Sequence, residues 1–230
     1  MINKNIVTDL FFDLDHTLWD FERNSNLTFE KIFSELKIQI PLKEFNDNYG
    51  PINLSMWKKY RKNKISQEEL RYERLNKTFD SLNKIIEPKI INDISKLYIK
   101  YLSSYPHLFP GTLDVLNELS VRYNLHIITN GFKKIQYKKL ESSGIVHLFK
   151  NIFTSEDFGC KKPDPLIFKR AIEVANTKAA YSIMIGDNLE VDILGSIQQG
   201  MQAIHLNSKR DPYHQHCLII DDIKQILNFI

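Results

Sequence analysis

The chain has 230 residues, 43% of them hydrophobic, enough to bury one large core or a core carrying an insertion, and that apolar content excludes a disordered chain. Lysine and arginine number 31 against 28 for aspartate and glutamate, so a dispersed net charge of +3 argues against a nucleic-acid polymer or a membrane surface as partner. With no apolar run long enough for a signal peptide or membrane span, and with Cys160 and Cys217 in neither a disulfide framework nor a metal-binding cluster, a cytoplasmic protein with ordinary thiols is expected.

Ile6 to Phe12 is an apolar run, interrupted by Thr8 and Asp9, that reads as a first strand ending on Asp13-Leu14-Asp15-His16-Thr17-Leu18. Two carboxylates separated by one residue point in opposite directions on a regular strand, so Asp13 and Asp15 serve one site only if the chain turns after Asp13. The opening Asp-x-Asp-x-Thr also matches a calcium loop, but Leu18 stands where that loop needs glycine and Asn24 where it needs glutamate. A solvated acidic turn is the remaining alternative.

From Trp19 to Pro106 the signals are helical. Phe29, Ile32, Phe33 and Leu36 form an apolar stripe, Ser66 with Glu69 makes a capping box, and Pro88 opens a helix burying Ile91, Ile94, Leu97, Tyr98, Tyr101 and Leu102. Trp19 and Phe21 either stack on a ligand or pack at a domain junction. Pro106 and Pro110-Gly111 mark the end of this inserted segment.

Beyond it, Leu113, Leu116 and Leu119 carry helical spacing, and Leu125 to Thr129 reads as a buried strand. Thr129-Asn130-Gly131 offers a hydroxyl and backbone donors suited to a phosphate oxygen, or is an ordinary turn. Gly144 and Gly200 stand at helix stops. In Lys161-Lys162-Pro163-Asp164-Pro165 the prolines fix the backbone, so that a lysine there is either held against an anion or lies in a solvated loop. A helix through Phe168, Ala171, Ile172 and Ala175 follows, then strands at Tyr181 to Ile185 and Gln202 to Leu206. Gly186-Asp187 through Asp192 places two carboxylates after a strand, as metal ligand and support or as helix caps. Alternating strands and helices predict a parallel sheet covered on both faces, and all four polar segments fall at strand or loop ends, on one edge of it.

These segments, in this order, resemble the four motifs of the haloacid dehalogenase superfamily: Asp13-Leu14-Asp15-His16-Thr17, Thr129-Asn130, Lys162-Pro163, and Gly186-Asp187 through Asp192. The resemblance implies an α/β fold, with a three-layer Rossmann-like parallel core from residues 1–18 and 107–230 and an inserted helical cap domain of the C1 type at 19–106. It also implies that Asp13 is a nucleophile forming an aspartyl-phosphate and that Asp15 is the acid and base. By the same resemblance, Mg2+ is held by the Asp13 carboxylate, the Asp15 main-chain carbonyl and Asp187, with Asp192 supporting the metal from behind. Thr129, Asn130 and Lys162 would bind phosphoryl oxygens. An alkoxide leaving group needs a proton and a halide does not, so Asp15 favours phosphate esters over carbon-halogen bonds. Asp13 to Phe21 is similar to a branch of nucleoside 5'-monophosphate phosphatases. Sugar phosphatase, phosphoglycolate phosphatase and phosphomutase chemistry follow as alternatives, and 2-haloacid dehalogenase chemistry after them. The implied partner is a small phosphorylated metabolite, with the protein a monomer or homodimer.

Overall fold

The computed structural model describes residues 2–208 and 210–230, and the chain folds as two compact units, 1–21 with 106–230, and 22–105. In the first unit six parallel strands, β1 (Asp9–Phe12), β2 (Asn124–Thr129), β3 (Phe149–Thr154), β4 (Ser182–Gly186), β5 (Gln202–Leu206) and β6 (Leu218–Ile220), lie in the order β3-β2-β1-β4-β5-β6. The chain runs outward from β1 through β2 to β3, then crosses back to β4 on the other side of β1. That reversal opens a crevice at the carboxyl ends of β1 and β4, where ligands of open α/β sheets bind.

The strands anticipated from apolar runs are β1, β2, β4 and β5; β3 and β6 are additions. Lys150 and Asn151 break the apolar run of β3, which lies at the sheet's edge, and β6 is only three residues long. β1 also starts later than Ile6, because residues 4–6 form a turn and Ile6 is exposed.

Successive strand residues face opposite sides of a sheet. Phe11, Ile128, Phe153 and Met184 therefore share one face, buried against Ile167, Phe168, Ala171 and Ile172 of α8 (Pro165–Val174), while Leu10 and Phe12 are buried on the other. Along the chain between these elements lie α5 (Thr112–Ser120), α6 (Lys133–Ser142), the short α7 (Ser155–Phe158) and α9 (Gly195–Ile197).

The second unit holds α1 (Phe21–Glu35) from its second residue on, with α2 (Leu42–Arg61), α3 (Gln67–Ser81) and α4 (Pro88–Leu102). Ser66 caps α3, its hydroxyl accepting from Glu69 N–H at 3.1 Å while the Glu69 carboxylate accepts from Ser66 N–H at 2.7 Å. Phe29 centres the unit's core, its ring 4.8 Å from Phe45, 4.7 Å from Tyr49 and 4.7 Å from Tyr98. The sequence sets this segment at 19–106, whereas Trp19 to Phe21 and Pro106 group with the α/β unit. Trp19 bridges to Leu108, and Asp20 N–H donates to the His107 carbonyl at 3.1 Å. Among the described residues no helix is long and apolar enough to cross a membrane.

Asp9 is the polar exception in β1. Burial alone would push its carboxyl up, but hydrogen bonds from His126, Thr8, Thr177 and Asn124 outweigh burial and hold it below the usual carboxylate range. A depressed folded-state value contributes stability above the unfolded value of about 3.9, and that stability is lost as pH falls below it. The melting temperature is therefore expected to drop progressively from about pH 5 down to about pH 1, with most of the loss below about pH 3. Asp9→Asn should flatten this acid limb and cost about 1–3 kcal/mol at neutral pH, read by thermal unfolding across pH.

Candidate active site

β1 continues for one residue into the site, with Asp13 N–H donating to the Ile185 carbonyl at 2.9 Å, and then leaves extended geometry. Leu18 and Trp19 N–H groups return to the Leu14 carbonyl at 3.0 and 2.9 Å, and His16 adopts a left-handed φ of 66°. The turn separates the two motif carboxylates into different surroundings.

Asp13 enters a buried acidic group with Asp187, which follows β4, and Asp192, in the π-helical turn Leu189–Leu194. One carboxylate oxygen from each lies within 4.8 Å of the others. The Lys162 ammonium sits among them, 2.5 Å from Asp13 Oδ1 and 2.7 Å from Asp192 Oδ1, and it donates to the Ile128 carbonyl at 2.6 Å. Burial pushes the Asp13 carboxyl up to about 8; Lys162 opposes that rise, and the charges of Asp192 and Asp187 add to it. Burial likewise acts to lower the Lys162 ammonium, but Asp13 and Asp192 outweigh it and leave it raised. Three carboxylates around one ammonium leave a deficit of positive charge, and hard oxygen donors are the ligands a small divalent cation takes. The donor set fits such an ion.

The surrounding chain holds this group in place. The Asn130 side chain accepts from Lys162 N–H at 2.8 Å and donates to the Lys162 carbonyl at 2.9 Å. Asn130, which the resemblance implies on a phosphoryl oxygen, has both ends of its side-chain amide on the Lys162 main chain. Asp192 Oδ2 accepts from Asn188 N–H at 3.1 Å, and Thr17 Oγ1 reaches Asp187 Oδ1 at 3.5 Å. Gly186 has no room for a side chain, since a Cβ there would lie 2.5 Å from an Asp192 carboxylate oxygen. The Asp187 carbonyl meets His205 Nε2 at 3.1 Å. The tautomers follow from the partners: His216 N–H donates to His214 Nδ1 at 3.2 Å, so His214 Nε2 donates to His205 Nδ1 at 2.9 Å, and His205 Nε2 donates to Asp187.

The Asp15 carboxylate faces α6 instead. Lys139 Nζ lies 2.6 and 2.8 Å from its two oxygens, and Gln136 Nε2 lies 3.1 Å from Oδ2. The Lys139 side chain is 3% exposed, with its ammonium 4.3 Å from the centroid of the buried Trp19 ring. Trp19 is thereby part of the packing. Thr129 Oγ1, at the end of β2, accepts from Gly131 N–H at 3.0 Å and from Gln136 Nε2 at 2.7 Å.

Gln136 and Lys139 are the site-lining residues that motif reasoning passes over. Their signal is local: Phe132, Ile135, Gln136, Lys139 and Leu140 follow helical spacing, and all five are buried, so two polar side chains stand on an otherwise apolar stripe.

Residues 10–206 match the haloacid dehalogenase-like hydrolase family. The chain is 32% identical over 207 residues to the pyrimidine 5'-nucleotidase PynA of Streptococcus pneumoniae, covering 89% of this chain and 84% of that protein. It is 31% identical over 200 residues to the pyrimidine 5'-nucleotidase YjjG of Escherichia coli, covering 86% and 85%. Its fold superposes on the magnesium-bound crystal structure of YfnB from Bacillus subtilis with a TM-score of 0.87 and 26% identity, covering 96% and 97% of the two chains. The chain belongs to the haloacid dehalogenase-like hydrolases.

Close packing at Gly186 gives a direct check on the acidic group. Gly186→Ala should force Asp192 aside and destabilise the fold by about 1–3 kcal/mol through overpacking, measured by denaturant unfolding. An unchanged midpoint would mean that Asp192 has room to move.

Proposed function

We propose that this hydrolase is a magnesium-dependent phosphatase of small phosphomonoesters, nucleoside 5'-monophosphates foremost, that works through an aspartyl-phosphate on Asp13. The observation that carries the reading is the contrast between the motif's two carboxylates. Asp13 lies in the buried acidic group with Lys162, and Asp15 lies apart from it, held at both oxygens by Lys139. The names of the two nucleotidase relatives support the substrate class, and the magnesium-bound relative supports the metal.

Magnesium would be held by the carboxylates of Asp13 and Asp187 and the main-chain carbonyl of Asp15, with Asp192 behind them. When bound, it would supply the positive charge that lets an anionic nucleophile approach an anionic ester. The residues of the chain do the rest. An Asp13 carboxylate oxygen attacks phosphorus, the bond to the ester oxygen breaks, and Asp15 delivers a proton to the departing alkoxide. Asp15 then takes a proton from the water that attacks the aspartyl-phosphate, releasing phosphate and restoring Asp13. Lys162 and Thr129 offer fixed donors to the equatorial oxygens, where charge spreads in the transition state. Asn130 acts at one remove by keeping the Lys162 backbone in position.

Phosphate release should be measured across a panel of nucleotides, sugar phosphates and phosphoglycolate, with and without magnesium. Nucleoside 5'-monophosphates are expected to be the best substrates, and Asp13→Asn is expected to reduce turnover by at least about a thousandfold while the protein stays folded. Retained turnover in that variant would sink the assignment. Magnesium binding has a separate readout. At about a hundredfold over its dissociation constant the ion should add roughly 2.7 kcal/mol to stability, raising the melting temperature by several degrees. Asp187→Asn should shrink this shift; an equal shift in the variant would remove Asp187 from the ligand set.

A further inference from the structure

The buried carboxamide of Gln136 joins two groups that the mechanism keeps separate. Its Nε2 lies 3.1 Å from Asp15 Oδ2 and 2.7 Å from Thr129 Oγ1. Lys139 Nζ donates to both Asp15 oxygens at 2.6 and 2.8 Å, so Asp15 Oδ2 stands as an acceptor and the atom facing it is the amide nitrogen, which sets the orientation of the amide. One N–H of that nitrogen goes to Asp15 and the other to Thr129.

The hydroxyl of Thr129 has two acceptor positions and one proton. The Gly131 N–H occupies one position at 3.0 Å and the Gln136 N–H the other at 2.7 Å. Neither contact uses the proton, which is left for a third direction. We propose that Gln136 is a positioning residue that makes Thr129 an obligate hydrogen-bond donor to the transferring phosphoryl group, a role that rests on the phosphatase reading above.

Two observations support a built arrangement. Gln136 Oε1 is buried with no hydrogen-bond partner among the described residues, so the amide keeps its orientation at the expense of one bond. A Cβ on Gly131 would lie 2.4 Å from the Gln136 carboxamide, so glycine at that position leaves the amide its room.

The test is the affinity for inorganic phosphate, measured by titration calorimetry in magnesium buffer, for the wild type, Gln136→Met, Gln136→Glu, Thr129→Val and the double variant Thr129→Val/Gln136→Glu. Circular dichroism and melting would confirm folding of each. The carboxylate introduced by Gln136→Glu accepts the Thr129 proton, so this near-isosteric change should weaken phosphate binding by about tenfold or more, close to the effect of Thr129→Val. Gln136→Met frees the hydroxyl without capturing its proton and should cost only about threefold. In the Thr129→Val background, Gln136→Glu should add less than about twofold.

Equal losses for Gln136→Met and Gln136→Glu would reduce Gln136 to a space-filling role and overturn the proposal. So would losses that multiply in the double variant, because simple charge repulsion then explains Gln136→Glu. Calorimetry requires no turnover, so the two readings fail separately. A wild type that releases phosphate from no ester, yet shows this binding pattern, would overturn the phosphatase reading and still support the donor assignment.

Discussion

Carboxylates brought together away from water repel one another and lose hydration, and they stay charged there only if cations and hydrogen-bond donors replace what water gave. Asp13, Asp187 and Asp192 meet under this constraint at the sheet's crevice, and the α/β unit is arranged around it. Lys162 enters from the loop before α8 as the local cation. Asn130 grips its main chain, His205 fixes the carbonyl of Asp187, and the absence of a side chain at Gly186 lets Asp192 approach. Removing any of these supports leaves the charges in place without the geometry that makes them tolerable.

Much of this was legible in the sequence because buried parallel strands announce themselves. β1, β2, β4 and β5 read as apolar runs, and each of the motif residues Asp13, Thr129 and Asp187 stands at the end of one. β3 was not legible, because Lys150 and Asn151 give an edge strand the look of a loop, and β6 is too short to carry a pattern. The ends of the helical segment shifted for a related reason. Trp19 is bridged by backbone to Leu108, and such a pairing between distant residues leaves no periodic trace.

The site was legible at the level of motifs and not of contacts. Residue type and order placed Lys162 near Asp13, but nothing in Thr129-Asn130-Gly131 reveals that the asparagine amide turns to the Lys162 main chain. Gln136 and Lys139 are not legible in the sequence because a polar residue on an apolar helical stripe is ambiguous until its partners are known. Lysine in a helical stripe normally extends its charge to solvent. Here Asp15 and the face of Trp19 receive it.

Two aspartates separated by one residue here stand in different surroundings, as the two tasks of the proposed reaction would require. A nucleophile and a proton carrier need unlike surroundings, and a short motif gains them only if the backbone turns sharply between the two side chains. The left-handed conformation of His16 and the return of Leu18 and Trp19 to the Leu14 carbonyl make that turn. Asp13 then shares Lys162 with Asp192, whereas both oxygens of Asp15 are held by Lys139. Each motif carboxylate has its own lysine, delivered by a different part of the chain. The Gln136 amide spans Asp15 and Thr129, so the turn that separates the carboxylates also ties Asp15 into the hydrogen-bond network of Thr129. Placement of Asp15 and polarity of Thr129 are therefore one structural decision, made by α6.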